Sequence, residues 1–123
     1  MNTLNTVRNV FLFDDDPEVR RCWELMVENN GIPNVQFFAS WEEFLQTGDA
    51  NQIRDAVIFV DFNFNLVNSR FDGIHIATEL KRMGAQVIYS ISGNSGIAAT
   101  RPDLFKSHMP KFPTDLKALV SKS

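Results

Sequence analysis

"FLFDDDPEV", residues 11–19, sets three aspartates between an apolar run and a proline. The run that ends there, "NVFLF" (9–13), reads as a strand, and Pro17 with the residues after it opens a helix. Three adjacent carboxylates repel one another, so the turn between these elements needs a cation, a hydrogen-bonded cap or hydration to offset the cost. Asp16 takes the N-cap, with Pro17 at the first helical position, where it satisfies an orphan N–H and complements the helix dipole. Asp14 and Asp15 are left for a cation.

Working outward, Val19, Cys22, Trp23, Met26 and Val27 recur at helical spacing, giving a first helix with one apolar stripe that Gly31 can terminate. Three more continuous apolar runs follow: "VQFF" (35–38), "VIFV" (57–60) and "VIYSI" (87–91). The Val/Ile/Phe character of the first, third and fourth runs suits strands covered on both faces of a parallel sheet. Between them, "SWEE" (40–43) has capping-box spacing, with Ser40 as N-cap and Glu43 reaching back, followed by Phe44 and Leu45. A third helix starts near Gly73, ends at Gly84 and shares Ile76, Leu80 and Met83 on one face. Part of Gly96 to Arg101 makes a fourth helix before Pro102. "KSHM" (106–109) is the expected fifth strand, and Thr114 caps a last helix that buries Leu116, Leu119 and Val120.

Strands alternating with helices at this spacing form βαβ units with right-handed crossovers. The expected fold is an α/β, flavodoxin-like three-layer sandwich: a five-stranded parallel sheet in the order 2-1-3-4-5, with helices on both faces. In such sheets ligands bind outside the carboxyl ends of the strands, where the strand order reverses. Asp14, Asp15 and Asp16 follow the first strand, Asp61 follows the third and Ser92 follows the fourth, so all lie on that rim. A hard divalent cation with oxygen ligands turns such a carboxylate cluster from unfavourable to favourable, and Mg²⁺ is the natural candidate.

Composition narrows the function. The 123 residues fit one domain, 1–123, with no separate effector domain expected. Apolar residues at 44% and charged residues at 22% describe an ordinary globular chain, and eleven phenylalanines predict a core filled by rings. A net charge of −3, with no Lys/Arg run, disfavours direct binding to nucleic acid or anionic lipid. No apolar stretch approaches a membrane span, and the polar start lacks a signal peptide's apolar centre, so a cytoplasmic location is expected. Cys22, the one cysteine, can form no intramolecular disulfide, in keeping with a reducing compartment.

Taken together, "FLFDDDPEV" after the first strand, "VIFVD" at the third, "IYSISG" at the fourth and "MPKF" after the fifth resemble the four signatures of response-regulator receiver domains, over almost the whole chain. The resemblance implies two-component or phosphorelay signalling. Asp61 would take a phosphoryl group from a partner histidine kinase or histidine phosphotransfer protein, forming an acyl phosphate. Asp14, Asp15, Asp61 and the backbone carbonyl of Asn63 would bind Mg²⁺, Ser92 would hydrogen-bond a phosphoryl oxygen, and Lys111 would pair with Asp61 or its phosphoryl group. Ser92 and His108 would form the switch. Such a protein catalyses only its own phosphorylation and dephosphorylation. Its output would pass to a downstream protein, or to a second copy in a homodimer, through the fourth helix, fifth strand and fifth helix, with Phe105 and Phe112 nearby.

The chain departs from the family pattern at four points. The stretch "DFNFNLVNSRFDG" (61–73) is longer than the usual loop and lacks its proline. Lys111 is followed by Phe112, where the family has a cis-bonded proline; a cis Lys111–Phe112 bond would cost about 2.5–4 kcal/mol, which predicts a trans bond or a strained site. His108 stands where the family has Tyr or Phe, and Gly93 loosens the fourth loop. Plainer readings also exist. Asp14 and Asp15 fit ordinary loop acids, Lys111 a surface lysine, and Ser90 competes with Ser92 for the active hydroxyl. His75 and His108 lack a third ligand at metal spacing, and Trp23 and Trp41 read as core or staple residues. Asp14 and Asp16 have the D-x-D spacing of haloacid-dehalogenase-like phosphatases, with Asp14 as nucleophile, although only Asp115 follows Lys111 to supply that family's late acidic pair. A receiver-shaped binding module that works without phosphorylation is the remaining alternative.

Overall fold

The computed structural model describes residues 9–14, 16–32, 35–61, 73–91 and 103–109. In chain order these form β1 (Val10–Phe13), α1 (Pro17–Asn29), β2 (Val35–Phe38), α2 (Trp41–Thr47), a short 3-10 turn at Ala50–Gln52, β3 (Val57–Asp61), α3 (Gly73–Arg82), β4 (Val87–Ile91) and β5 (Ser107–Met109). The five strands make one sheet in the order β2-β1-β3-β4-β5, with every neighbouring pair parallel. The expected order and strand direction therefore hold. The expected fourth and fifth helices, together with Thr114, Leu116, Leu119 and Val120, lie outside the described residues.

The starts of α1 and α2 follow the chemistry of their caps. Asp16 is extended, and its carboxylate accepts the Glu18 N–H at 2.9 Å with Pro17 opening the helix. Ser40 Oγ accepts the Glu43 N–H at 3.0 Å. Glu43 reaches back as the capping box requires, but to the Ala39 N–H, one residue ahead of the cap, at 2.6 Å. At the other end of α1, Gly31 takes φ of +66°, a left-handed value that suits glycine and turns the chain into Ile32, whose N–H returns to the Val27 carbonyl. Gly48 closes α2 where a Cβ would run into the Phe44 ring, so the helix can end against its own buried aromatic only at glycine.

Successive strand residues point to opposite faces, and the buried side chains divide accordingly. On one face Phe11, Phe13, Phe38, Ile58, Val60 and Ile88 cluster with Trp41 and Phe44 of α2 and with Ile76, Ala77 and Leu80 of α3. On the other, Val10, Leu12, Val57, Phe59, Tyr89 and Ile91 cluster with Val19, Trp23 and Val27 of α1. Trp23 and Trp41 are both core residues, as expected.

Three apolar expectations are corrected. Cys22 is exposed, because on α1 it lies at the edge of the stripe formed by Val19, Trp23 and Val27. Leu45 is exposed, because the short α2 buries only Trp41 and Phe44. Met83 is also exposed: α3 ends at Arg82, so Met83 belongs to the turn that leads to Gly84 at φ of +106°.

Candidate functional site

The strand register builds the site. β1 and β3 pair from Val10↔Val57 to Phe13↔Val60. One step beyond that last pair stand Asp14 and Asp61, on neighbouring strands whose backbones run about 4.8 Å apart. Asp61 is the last residue of β3 and pairs with Ile91 of β4. Asp14 still belongs to the sheet on its other side, donating its N–H to the Phe38 carbonyl at 3.1 Å. Alternation along each strand gives Asp14 the face of Leu12 and Asp61 the face of Phe59, so both carboxylates belong to the α1 face at its carboxyl edge.

Both groups are buried, Asp14 at 3% exposure and Asp61 at 2%. Oδ1 of Asp14 accepts the Asp16 N–H at 2.9 Å, while Oδ2 is enclosed by the protein. Placing two carboxylates side by side with little water left to them is unfavourable by desolvation and by like-charge repulsion. Hard oxygen donors held this way suit a hard divalent cation such as Mg²⁺, which would offset both costs. Among the described residues the acidic group is a pair rather than a cluster of three His, Cys, Asp or Glu side chains. Asp15, the third expected carboxylate, lies outside them.

Asp14 and Asp16, two of the three opening aspartates, thus have different surroundings. Asp16 is exposed and caps α1, whereas Asp14 is buried and receives that cap residue's own N–H. Asn63, Ser92, Lys111 and the Lys111–Phe112 bond lie outside the described residues. Ser90 is fully buried and pairs with Val60 on one side and His108 on the other, one register step short of Asp61 and on the opposite face by alternation. That separates it from the carboxylates. The backbone of His108 is in β5. The sequence places Phe105 near a contact face; the structure corrects this, burying it at 2% exposure in the cluster of α2 and α3.

Two features of the site were not anticipated from the sequence. One is the hydrogen bond that ties Asp14 to the first turn of α1. The other is a line of rings below the carboxylates: Trp23 meets Phe59 at 5.0 Å between centroids, and Phe59 stacks on Tyr89 at 5.4 Å. The sequence signal for it was the placement of Phe59 two residues before Asp61, on the strand face that the stripe of α1 must cover.

No family model matches the chain, and no curated protein matches it. Among solved structures, the response regulator StyR is similar in fold: the TM-score is 0.66 at 20% sequence identity, over 93% of this chain and 57% of that one. The chain therefore shares its fold with that response regulator, in keeping with the resemblance carried by its four motifs, and spans 57% of that chain's length. Among the described residues no helix is long and apolar enough to cross a membrane.

Proposed function

We propose that this chain is a phosphoacceptor receiver domain of two-component signalling and that its helices complete a flavodoxin-like three-layer sandwich. The single observation that carries the reading is the burial of Asp14 and Asp61 side by side at the carboxyl edge of a sheet with response-regulator order. Asp14, Asp15, Asp61 and the Asn63 carbonyl would hold Mg²⁺, which when bound supplies charge neutralisation for the phosphoryl oxygens.

Asp61 is the nucleophile. An ionised carboxylate needs no general base, so one of its oxygens bonds to phosphorus as the P–N bond of a phosphohistidine on the kinase or phosphotransfer protein breaks. The departing imidazole nitrogen keeps the electron pair and takes up a proton from solvent. Ser92 donates a hydrogen bond to a phosphoryl oxygen and Lys111 pairs with another, dividing the remaining charge between them. Phosphorylation then shifts a conformational equilibrium through Ser92 and the β5 residue His108, changing the face formed by the fourth helix, β5 and the fifth helix. That face receives the downstream protein or a second copy of the chain. The protein acts in the cytoplasm, where its phosphodonor is made.

The capping role of Asp16 favours this reading over a phosphatase built on Asp14 and Asp16, because the second aspartate of the D-x-D pair is engaged by the Glu18 N–H. Intact-mass analysis after acetyl phosphate and Mg²⁺ tests the proposal. Wild type should gain about 80 Da, the mass of one PO₃ group, and Asp61→Asn should gain nothing. An adduct that persists in Asp61→Asn, or none in wild type, overturns it.

A further inference from the structure

The sheet edge that carries the acidic pair is fastened to α1 at two separate points. At the start of α1, Asp16 caps the helix and its N–H donates to Asp14 Oδ1 at 2.9 Å. About two turns further on, the indole of Trp23 is fully buried, with its centroid 5.0 Å from that of Phe59 at 57° between planes. Phe59 and Asp61 share one side of β3, two residues apart. Phe59 in turn stacks on Tyr89 at 5.4 Å and 21°, and Tyr89 stands two residues before Ile91, the register partner of Asp61. The rings therefore form a floor that runs from α1 across β3 to β4, directly below the strand ends.

We propose that Trp23 is a positioning residue for the acidic pair: by setting the distance of α1 from β3 it fixes the separation of the Asp14 and Asp61 carboxylates, and thereby makes the site selective for a small divalent cation. The inference rests on the reading of that pair as part of a Mg²⁺ site. Its physical basis is that α1 and β3 approach each other through an indole on a phenyl ring, which is an incompressible spacer at interior packing density. A smaller side chain at position 23 lets α1 settle toward the sheet. The Asp14 carboxylate would turn with it, because the Asp16 N–H holds one of its oxygens even though the Asp14 backbone stays on the Phe38 carbonyl, while Asp61 stays fixed by the β4 ladder. Mg²⁺ demands near-ideal octahedral geometry at about 2.0–2.1 Å, whereas Ca²⁺ accepts roughly 2.3–2.6 Å and irregular geometry. A shift of the two carboxylates therefore penalises Mg²⁺ more than Ca²⁺.

The experiment is isothermal titration calorimetry of the whole chain with Mg²⁺ alone and with Ca²⁺ alone, on wild type, Trp23→Leu, Trp23→Phe and Phe44→Leu, with circular dichroism to establish that each variant is folded. Phe44 is as deeply buried as Trp23 but belongs to the opposite face. Trp23→Leu should weaken Mg²⁺ binding about tenfold, as loss of a group that orients metal ligands does. It should change Ca²⁺ binding much less, and Trp23→Phe should recover most of the Mg²⁺ affinity. Phe44→Leu should leave both affinities at the wild-type value. Unchanged Mg²⁺ affinity in Trp23→Leu overturns the proposal, and so does an equal loss for both ions or an equal loss in Phe44→Leu. If Trp23→Leu does not fold, Trp23→Phe carries the test: its Mg²⁺-to-Ca²⁺ preference must fall below that of wild type, and an unchanged preference overturns the proposal. A wild type that binds neither ion would instead overturn the metal reading itself, and the positioning role with it.

Discussion

The two faces of the sheet are built on different plans. Under α2 and α3 the rings are redundant: Phe44 alone approaches Phe11, Phe13, Phe38 and Trp41 at centroid distances of 5.2–6.0 Å. Under α1 ring-to-ring contacts among the described residues run from Trp23 to Phe59 to Tyr89, Phe37 packs part-buried on the same cluster beneath the Arg20 guanidinium, and the carboxyl end of this face carries two buried acids. The first face has many overlapping apolar contacts. The second spends part of its apolar burial on holding like charges together. The difference implies a division of labour, in which one face supplies stability and the other uses some of it to keep the carboxylates poised.

The largest expected effect tests the supplying face. Phe44→Ala removes a ring that is 2% exposed and touches four others, and should lower unfolding stability by about 3–5 kcal/mol, measured by urea denaturation. The loss should be the same with and without Mg²⁺. If it instead varies with Mg²⁺, the two faces are energetically coupled and the proposed division fails.

The next effect has the opposite sign. Two unit charges about 5 Å apart at an effective dielectric near 20 repel by about 3 kcal/mol, so Asp61→Asn in the presence of chelator should stabilise the fold, by about 1–3 kcal/mol after relaxation. Excess Mg²⁺ should raise the stability of wild type by mass action and leave Asp61→Asn almost unmoved, which narrows or reverses the gap. Urea midpoints measured under both conditions check this. A destabilised Asp61→Asn in chelator would mean that the carboxylate is held by favourable partners and that the α1 face carries no electrostatic cost.

The same division explains how much could be read in advance. β2 and β4 are legible to the residue, because the short runs VQFF at 35–38 and VIYSI at 87–91 are rich in β-branched and aromatic residues and each holds a single polar residue. β3 runs one residue beyond its apolar stretch: a carboxylate does not look like strand, yet the ladder continues through Asp61↔Ile91. The start of α1 was legible in Asp16–Pro17, whose chemistry is local. The meeting of Asp14 with Asp61 could be inferred from strand order, because a topological switch point gathers strand ends. The ring line and the tie from Asp16 to Asp14 were not inferred, because they depend on strand register and helix distance, which residues far apart in the chain fix jointly. The burial of Phe105 escaped for the same reason: nothing near it in sequence says that α2 and α3 leave room for its ring.

The smallest expected effect separates a cap that serves stability from one that also serves the site. Ser40 and Asp16 perform the same local task, each accepting one N–H of the first turn, at 3.0 and 2.9 Å. Ser40→Ala and Asp16→Ala should therefore each lower stability by about 1 kcal/mol. Their neighbours differ. Ser40 starts a helix of the Phe-rich face, whereas the N–H of Asp16 is the donor that holds Asp14 Oδ1. Loosening the first turn of α1 frees that donor to move, so Asp16→Ala should also weaken Mg²⁺ binding, by a few fold, while Ser40→Ala leaves it unchanged. Part of the loss in Asp16→Ala would come from removing a negative charge close to a cation, and Asp16→Asn isolates that part, because asparagine keeps the capping oxygen and discards the charge. If calorimetry gives Asp16→Asn a Mg²⁺ affinity nearer to wild type than to Asp16→Ala, the cap positions Asp14. If Asp16→Asn matches Asp16→Ala, the residue acts through its charge alone, and the tie between α1 and the acidic pair holds at Trp23 only.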